Sequence, residues 1–231
     1  MMEEMYATTT ASKSACPSPD DYMKSFEGAD NIIVVTITGT LSGSYNSAEI
    51  AKKIYLEEHP NAKIHVIDSL SAGGEVDLLV RKLNHLVAEG LEFDQVLDAI
   101  TAYQAKTKLL FVLAKVDNLV KNGRLSKLVG TVVGLLNIRM VGEASKTGTL
   151  ELLQKARGQK KAIKAAFDEL IKAGYTGGHI TIAHRNNDKF IEQFSELVRE
   201  KFAQASIEVL PTSGLCSFYA EEGGLLMGYE I

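Results

Sequence analysis

The chain has 231 residues, 45% of them hydrophobic and 23% charged, which suits one large domain or two small ones with a sizeable core. Its 25 basic and 29 acidic residues give a formal charge of -4, a balance that disfavours a dedicated DNA- or RNA-binding role. No apolar run approaches the roughly 18 residues of a membrane helix, Met1 to Ala11 carries no apolar signal-peptide core, and the widely separated Cys16 and Cys216 read as reduced thiols of a cytoplasmic protein.

Apolar runs of strand length alternate with longer amphipathic stretches, the pattern of an α/β protein. Ser18-Pro19-Asp20-Asp21 predicts a helix start, with a capping serine, proline at the first helical position and acids at the positive end of the dipole. Gly28 stops that helix. Ile32 to Thr38 reads as a strand buried on both faces. The Gly/Ser/Thr loop Gly39 to Ser44 follows. A helix from about Tyr45 to Glu58 then places Ala48, Ala51, Ile54 and Tyr55 on one face. Ile64 to Ile67 is a short strand closed by Asp68-Ser69. After Gly73-Gly74 a long helix buries Val76, Leu79, Val80, Leu83, Leu86 and Val87, and another helix spans about Phe93 to Lys106.

The second half has more strands and closer turns, which predicts a mixed sheet. Leu109 to Leu113 is a strand, and two short helical pieces flank Asn122-Gly123-Arg124. Strands Ile138–Glu143 and Leu150–Gln154 bracket a Lys146-Thr147-Gly148 turn. Helix Gln159–Ala173, strand His179–Ala183, helix Lys189–Phe202, strand Ile207–Leu210 and a glycine-rich end from Gly223 to Ile231 complete the chain. The fold class is therefore α/β in two domains. Residues 1–107 form a parallel-sheet first domain and 108–231 a mixed-sheet second domain.

The loop Gly39-Thr40-Leu41-Ser42-Gly43-Ser44 is the most informative local feature. It lies at the carboxyl end of a strand and the amino end of a helix, where ligands collect in open sheets and unpaired amides favour anions. Thr40, Ser42 and Ser44 add hydroxyls, and the glycines, Gly43 among them, permit close backbone approach. The plain alternative is a capped helix with a flexible loop. The loop is neither a Walker A sequence nor a dinucleotide fingerprint, and Ser42 lacks the flanking glycines of a nucleophile elbow. The five histidines have no metal-ligand spacing. Cys16 has no base beside it and reads as a buried or half-buried thiol. Arg124 lies in a basic turn, where a guanidinium suits carboxylate or phosphate. Arg157 opens a helix, against the dipole, so a partner or anion would explain it.

Several stretches occur together: Ala15-Cys16-Pro17-Ser18-Pro19, Leu41-Ser42-Gly43-Ser44-Tyr45-Asn46-Ser47-Ala48, Asp68-Ser69, Asn122-Gly123-Arg124-Leu125-Ser126-Lys127 and Arg157-Gly158-Gln159-Lys160-Lys161-Ala162. In this order they resemble the DegV family of bacterial fatty-acid-binding proteins, from about Ser14 to the C-terminus. The resemblance implies two α/β domains with a long-chain fatty acid between them, a carrier and not an enzyme, and no cofactor or metal. It implies presentation of the acid to a fatty-acid kinase. By resemblance the carboxylate contacts fall on Ser14, where threonine is usual, and on Ser42. Arg124 and Arg157 are linked to the kinase step or to docking. Tyr219 stands where the family often has a histidine near its glycine-rich end. The family's chain begins well upstream of Met1, so the sheet here is expected to lack one strand and expose an edge. The competing expectation is a hydrolase or phosphotransfer enzyme that uses the same anion loop with Asp68 and Arg124.

Overall fold

The computed structural model describes residues 12–125 and 137–231. Helix α1 (Pro19–Phe26) starts as its sequence requires. Ser18 accepts the Asp21 amide, the Asp21 carboxylate accepts the Ser18 amide, and Pro19 fills the first position. Strand β1 (Asn31–Thr36) pairs in parallel with β2 (Lys63–Asp68), Val34 opposite Val66. Helix α2 (Ser44–Glu58) is the crossover between them. Ile32, Val34 and Ile64 pack under α1 and α2 with Phe26, Ala51 and Tyr55. Ile33, Val35 and Ile67 face α3 (Gly74–Ala88) and α4 (Phe93–Gln104), with Leu79, Leu83, Leu86, Val96 and Ile100. Helices on both faces of parallel strands are the doubly wound arrangement.

The second sheet has six strands in the order β5-β4-β3-β8-β6-β7. They are β3 (Thr107–Leu113), β4 (Ile138–Ala144), β5 (Leu150–Arg157), β6 (His179–His184), β7 (Ser206–Pro211) and β8 (Leu225–Glu230). Only β6 and β7 pair in parallel; the other pairings are antiparallel, so the sheet is mixed as expected. Helices α6 (Gln159–Lys172) and α7 (Asp188–Lys201) cover one face. Leu110, Val112, Ile180, Ile182, Met227 and Tyr229 pack there against Leu170, Phe190 and Phe194. On the opposite face Phe111, Leu113 and Met140 meet Leu119 of α5 (Asp117–Lys121) and Ala220 of α8 (Gly214–Ala220).

Several sequence expectations need correction. The Gly223–Ile231 end contains β8, a central strand bonded to both β3 and β6. Its Gly228 is needed for packing: a Cβ there would lie 2.3 Å from the Glu75 backbone, and one on Gly74 would lie 2.6 Å from the Gly228 nitrogen. The start of α3 therefore rests directly on the six-stranded sheet, while its later turns pack on the first sheet. Strand β1 is only half-buried, because among the described residues it has a strand partner on one side alone. Val80 and Val87 are exposed, and the inner face of α3 runs instead through Leu78, Leu79, Leu83 and Leu86. Ile54 is likewise exposed, and Ser47 joins Ala48, Ala51 and Tyr55 on the buried stripe of α2. Arg157 ends β5 and does not open a helix; pairing of Ile138 with Arg157 carries the ladder to that point, and Gly158 (φ 82) makes the turn into α6. The second helical piece expected after Arg124, with Ser126 and Lys127, lies outside the described residues.

Candidate functional site

The loop after β1 is held open by hydrogen bonds of its own. Leu41 and Ser42 amides donate to the Thr38 carbonyl, and the Thr38 amide donates to Ser71. The Ser44 amide donates to Ser42 Oγ at 3.2 Å, and the two hydroxyls are 2.9 Å apart. Gly43 is the N-cap of α2 and supplies no capping side chain. Asp68, at the end of β2, accepts the Gly39 amide (3.1 Å) and the Leu70 amide (2.9 Å). Its carboxylate is spent on shaping the loop and lies in a different cleft from Ser42.

A cavity opens beside this loop, between the two sheets. Ser14, Ile37, Leu41, Ser42 and Ala72 line it from the first unit. Phe111 and Leu113 of β3, Leu119 of α5, Leu150 of β5 and Leu226 of β8 line it from the second, and α8 contributes Leu215, Cys216, Tyr219 and Ala220. It encloses about 660 Å³ not filled by atoms, part of it open to solvent. The space is a slot with an apolar wall.

Polar groups gather at its mouth. The Tyr219 hydroxyl lies 2.9 Å from Ser14 Oγ. The half-buried Arg124 donates from Nε to the Leu41 carbonyl at 2.9 Å and from Nη1 to the Asn122 carbonyl at 3.1 Å. Its guanidinium carbon sits 5.0 Å from the centre of the Tyr219 ring, a cation–π contact. Deeper in, burial pushes the Cys216 thiol up, and the Gly73 amide partly offsets this. Cys216 is therefore a neutral wall residue at neutral pH.

Of the residues singled out in the sequence, Ser14, Ser42, Arg124 and Tyr219 converge on this mouth, although Ser14 and Tyr219 are 205 positions apart. Gly43 and Ser44 stand next to it in the loop without lining the slot. Arg157 is elsewhere, exposed at the end of β5. Cys16 is exposed, not buried; its sulfur flanks Gly43, where a Cβ would approach it to 3.0 Å. Sequence reasoning misses the apolar wall. Its signal is the β3 alternation: Leu110 and Val112 face one core, Phe111 and Leu113 the slot. Both sets are apolar, so composition alone does not separate them.

Among the described residues no helix is long and apolar enough to cross a membrane. The sequence matches the family described as "Uncharacterised protein, DegV family" over residues 1–229. A DegV domain-containing protein of Streptococcus gordonii is 78% identical over all 231 residues, which span 82% of that relative. A crystal structure of the Streptococcus pneumoniae Fatty Acid Kinase (Fak) B3 protein loaded with linoleic acid is similar, with a TM-score of 0.98 and 77% identity over 100% of this chain and 82% of that one. A DegV family protein from Eubacterium eligens loaded with heptadecanoic acid gives 0.96 at 39% identity, covering 100% and 83%. The chain belongs to the DegV family.

Proposed function

We propose that this chain binds a long-chain fatty acid in the slot between its sheets and presents it to a fatty-acid kinase, with no catalytic step of its own. The observation that carries the reading is an apolar slot with Ser14, Ser42, Arg124 and Tyr219 at its mouth. Such a space suits a molecule with one anionic end and a thin greasy tail. Each buried methylene contributes about 0.8 kcal/mol, so a long acyl chain contributes on the order of 10 kcal/mol gross. Hydrogen bonds to the charged head add about 1.5–3 kcal/mol each. The tail sets affinity, and the mouth sets polarity and register. Loaded relatives support the ligand class. The exposed position of Arg157 suits contact with a partner, and Arg124 stands where a partner would meet the carboxylate.

Lipid extracted from the purified chain and weighed by mass spectrometry tests the reading. One long-chain acid per chain is the expected result; a chain that neither carries nor takes up such an acid overturns it. For the partner, Arg157→Ala should slow formation of acyl phosphate by a fatty-acid kinase while leaving lipid affinity unchanged. A loss of lipid affinity of the same size would reject the docking role.

A further inference from the structure

Glu221 follows the last turn of α8 and has no exposed surface. Its backbone has φ 54 and ψ -172, a region that glycine enters freely and other residues rarely do. Burial pushes its carboxyl up. One oxygen, Oε1, accepts the Asn118 amide at 3.0 Å; the other is buried without a hydrogen-bond partner. A strained backbone and a poorly satisfied buried carboxylate both cost stability, and such features persist where they serve a site.

The Asn118 amide begins a chain of contacts that ends at the slot. Asn122 Nδ2 donates to the Asn118 carbonyl at 2.9 Å, Arg124 Nη1 donates to the Asn122 carbonyl, and Arg124 Nε donates to Leu41. Arg124 in turn lies over Tyr219, two positions before Glu221. A second tie, from Asn118 Nδ2 to the Phe218 carbonyl at 2.8 Å, joins the same two helices. The contacts therefore close a ring through α5, the Arg124 turn and α8, the elements that carry Leu119, Arg124 and Tyr219 of the slot.

We propose that Glu221 is a positioning residue for the slot's mouth: by holding the Asn118 amide it fixes α5 against α8, and through α5 it holds Arg124 across the entrance. The lipid consequence rests on the reading above; the mechanical one does not. Glycine at 221 would remove the carboxylate and the backbone strain together, so folding should not suffer. Glutamine keeps an acceptor for the Asn118 amide.

Amide hydrogen exchange of the lipid-free chain tests the mechanical part. Glu221→Gly should speed exchange over residues 117–125 by about tenfold, the order of one hydrogen bond, with no fall in Tm. Glu221→Gln should restore protection. With a fluorescent polyene fatty acid, Glu221→Gly should speed dissociation by a similar factor, but not in an Arg124→Ala background, where the relay is already cut. Unchanged exchange, or effects of Glu221→Gly and Arg124→Ala on dissociation that simply multiply, would overturn the proposal. A wild-type chain that takes up no fatty acid would refute the lipid reading instead, and the exchange data would still decide the role of Glu221.

Discussion

Ser42 illustrates how much one side chain contributes to a site whose affinity comes from elsewhere. Its hydroxyl both accepts the Ser44 amide and faces the slot. If the proposed reading holds, Ser42→Ala should remove one hydrogen bond to the ligand's charged head and weaken fatty-acid binding by about 1.5–3 kcal/mol. The fold should be untouched, because the Thr38 carbonyl still anchors the loop amides. Calorimetric titration against a long-chain acid checks this; an unchanged Kd would remove Ser42 from the site. The two thiols offer a second check on the slot. Cys16 is exposed and Cys216 is in the wall. Because burial raises the Cys216 thiol, less thiolate is present at neutral pH, and its alkylation should need more alkaline conditions. Iodoacetamide at neutral pH should label Cys16 first. Bound fatty acid should suppress labelling of Cys216 and spare Cys16, as followed by mass spectrometry.

At the scale of elements, α3 decides how the two sheets meet. Its first residues, Gly74 and Glu75, rest on Gly228 of β8, and its last turns cover β1 and β2. The close approach buries Glu75, whose carboxylate accepts the Thr107 hydroxyl at 2.8 Å. Burial raises the Glu75 pKa above the ordinary carboxylate value; the nearby Ser71 hydroxyl and the hydrogen bond from Thr107 oppose this. The folded chain thus holds this proton to higher pH than the unfolded chain does. The stability it contributes is full at acid pH and is lost as pH rises through the folded pKa. Glu75→Gln keeps an acceptor without the charge. It should raise Tm at neutral pH, by about 2–4 °C for each kcal/mol that the buried charge costs the folded chain, and give no gain near pH 4. Scanning calorimetry at both pH values measures this. Gly228→Ala should act in the opposite direction at all pH values, since its methyl meets backbone; overpacking of this kind costs about 1–3 kcal/mol.

The same elements show what the sequence discloses and what it withholds. The α1 cap was legible because every group in it is within three residues. So was the loop with Ser42, because strand, glycine-rich turn and helix follow in order. β8 was hidden by Gly228, a residue that argues against a strand until α3 is laid across it. The slot wall was hidden for another reason. Phe111 and Leu113 differ from Leu110 and Val112 only in which side of the sheet they face. Family resemblance points to Ser14 and Ser42 together, but their meeting with Arg124 and Tyr219 is visible only in the structure, since nothing local joins residues so far apart in sequence.

For the molecule as a whole, the slot depends on how the two sheets are held, and α3 is one tie between them. Another is the β4–β5 turn. Thr40 donates from its hydroxyl to the Gly148 carbonyl at 2.7 Å, 108 positions away. Gly148 has φ +79, and a Cβ there would collide with Thr38. This contact fastens the Ser42 loop to the hairpin that supplies Leu150 to the slot. Thr40→Ala deletes one neutral hydrogen bond, worth about 0.5–1.5 kcal/mol. Tm should therefore fall only slightly, because both hydrophobic cores of the first sheet and both of the second remain intact. Ligand exchange should respond more on the proposal that a long acyl chain enters by parting the sheets on this side. Stopped-flow release of a fluorescent fatty acid should be faster in Thr40→Ala than in wild type, with association faster as well and Kd little changed. Gly148→Ala forces the turn away from Thr38 and should increase both rates further. Release rates that follow the loss of Tm and nothing more would mean that the turn is ordinary packing, and that the acid enters from another side.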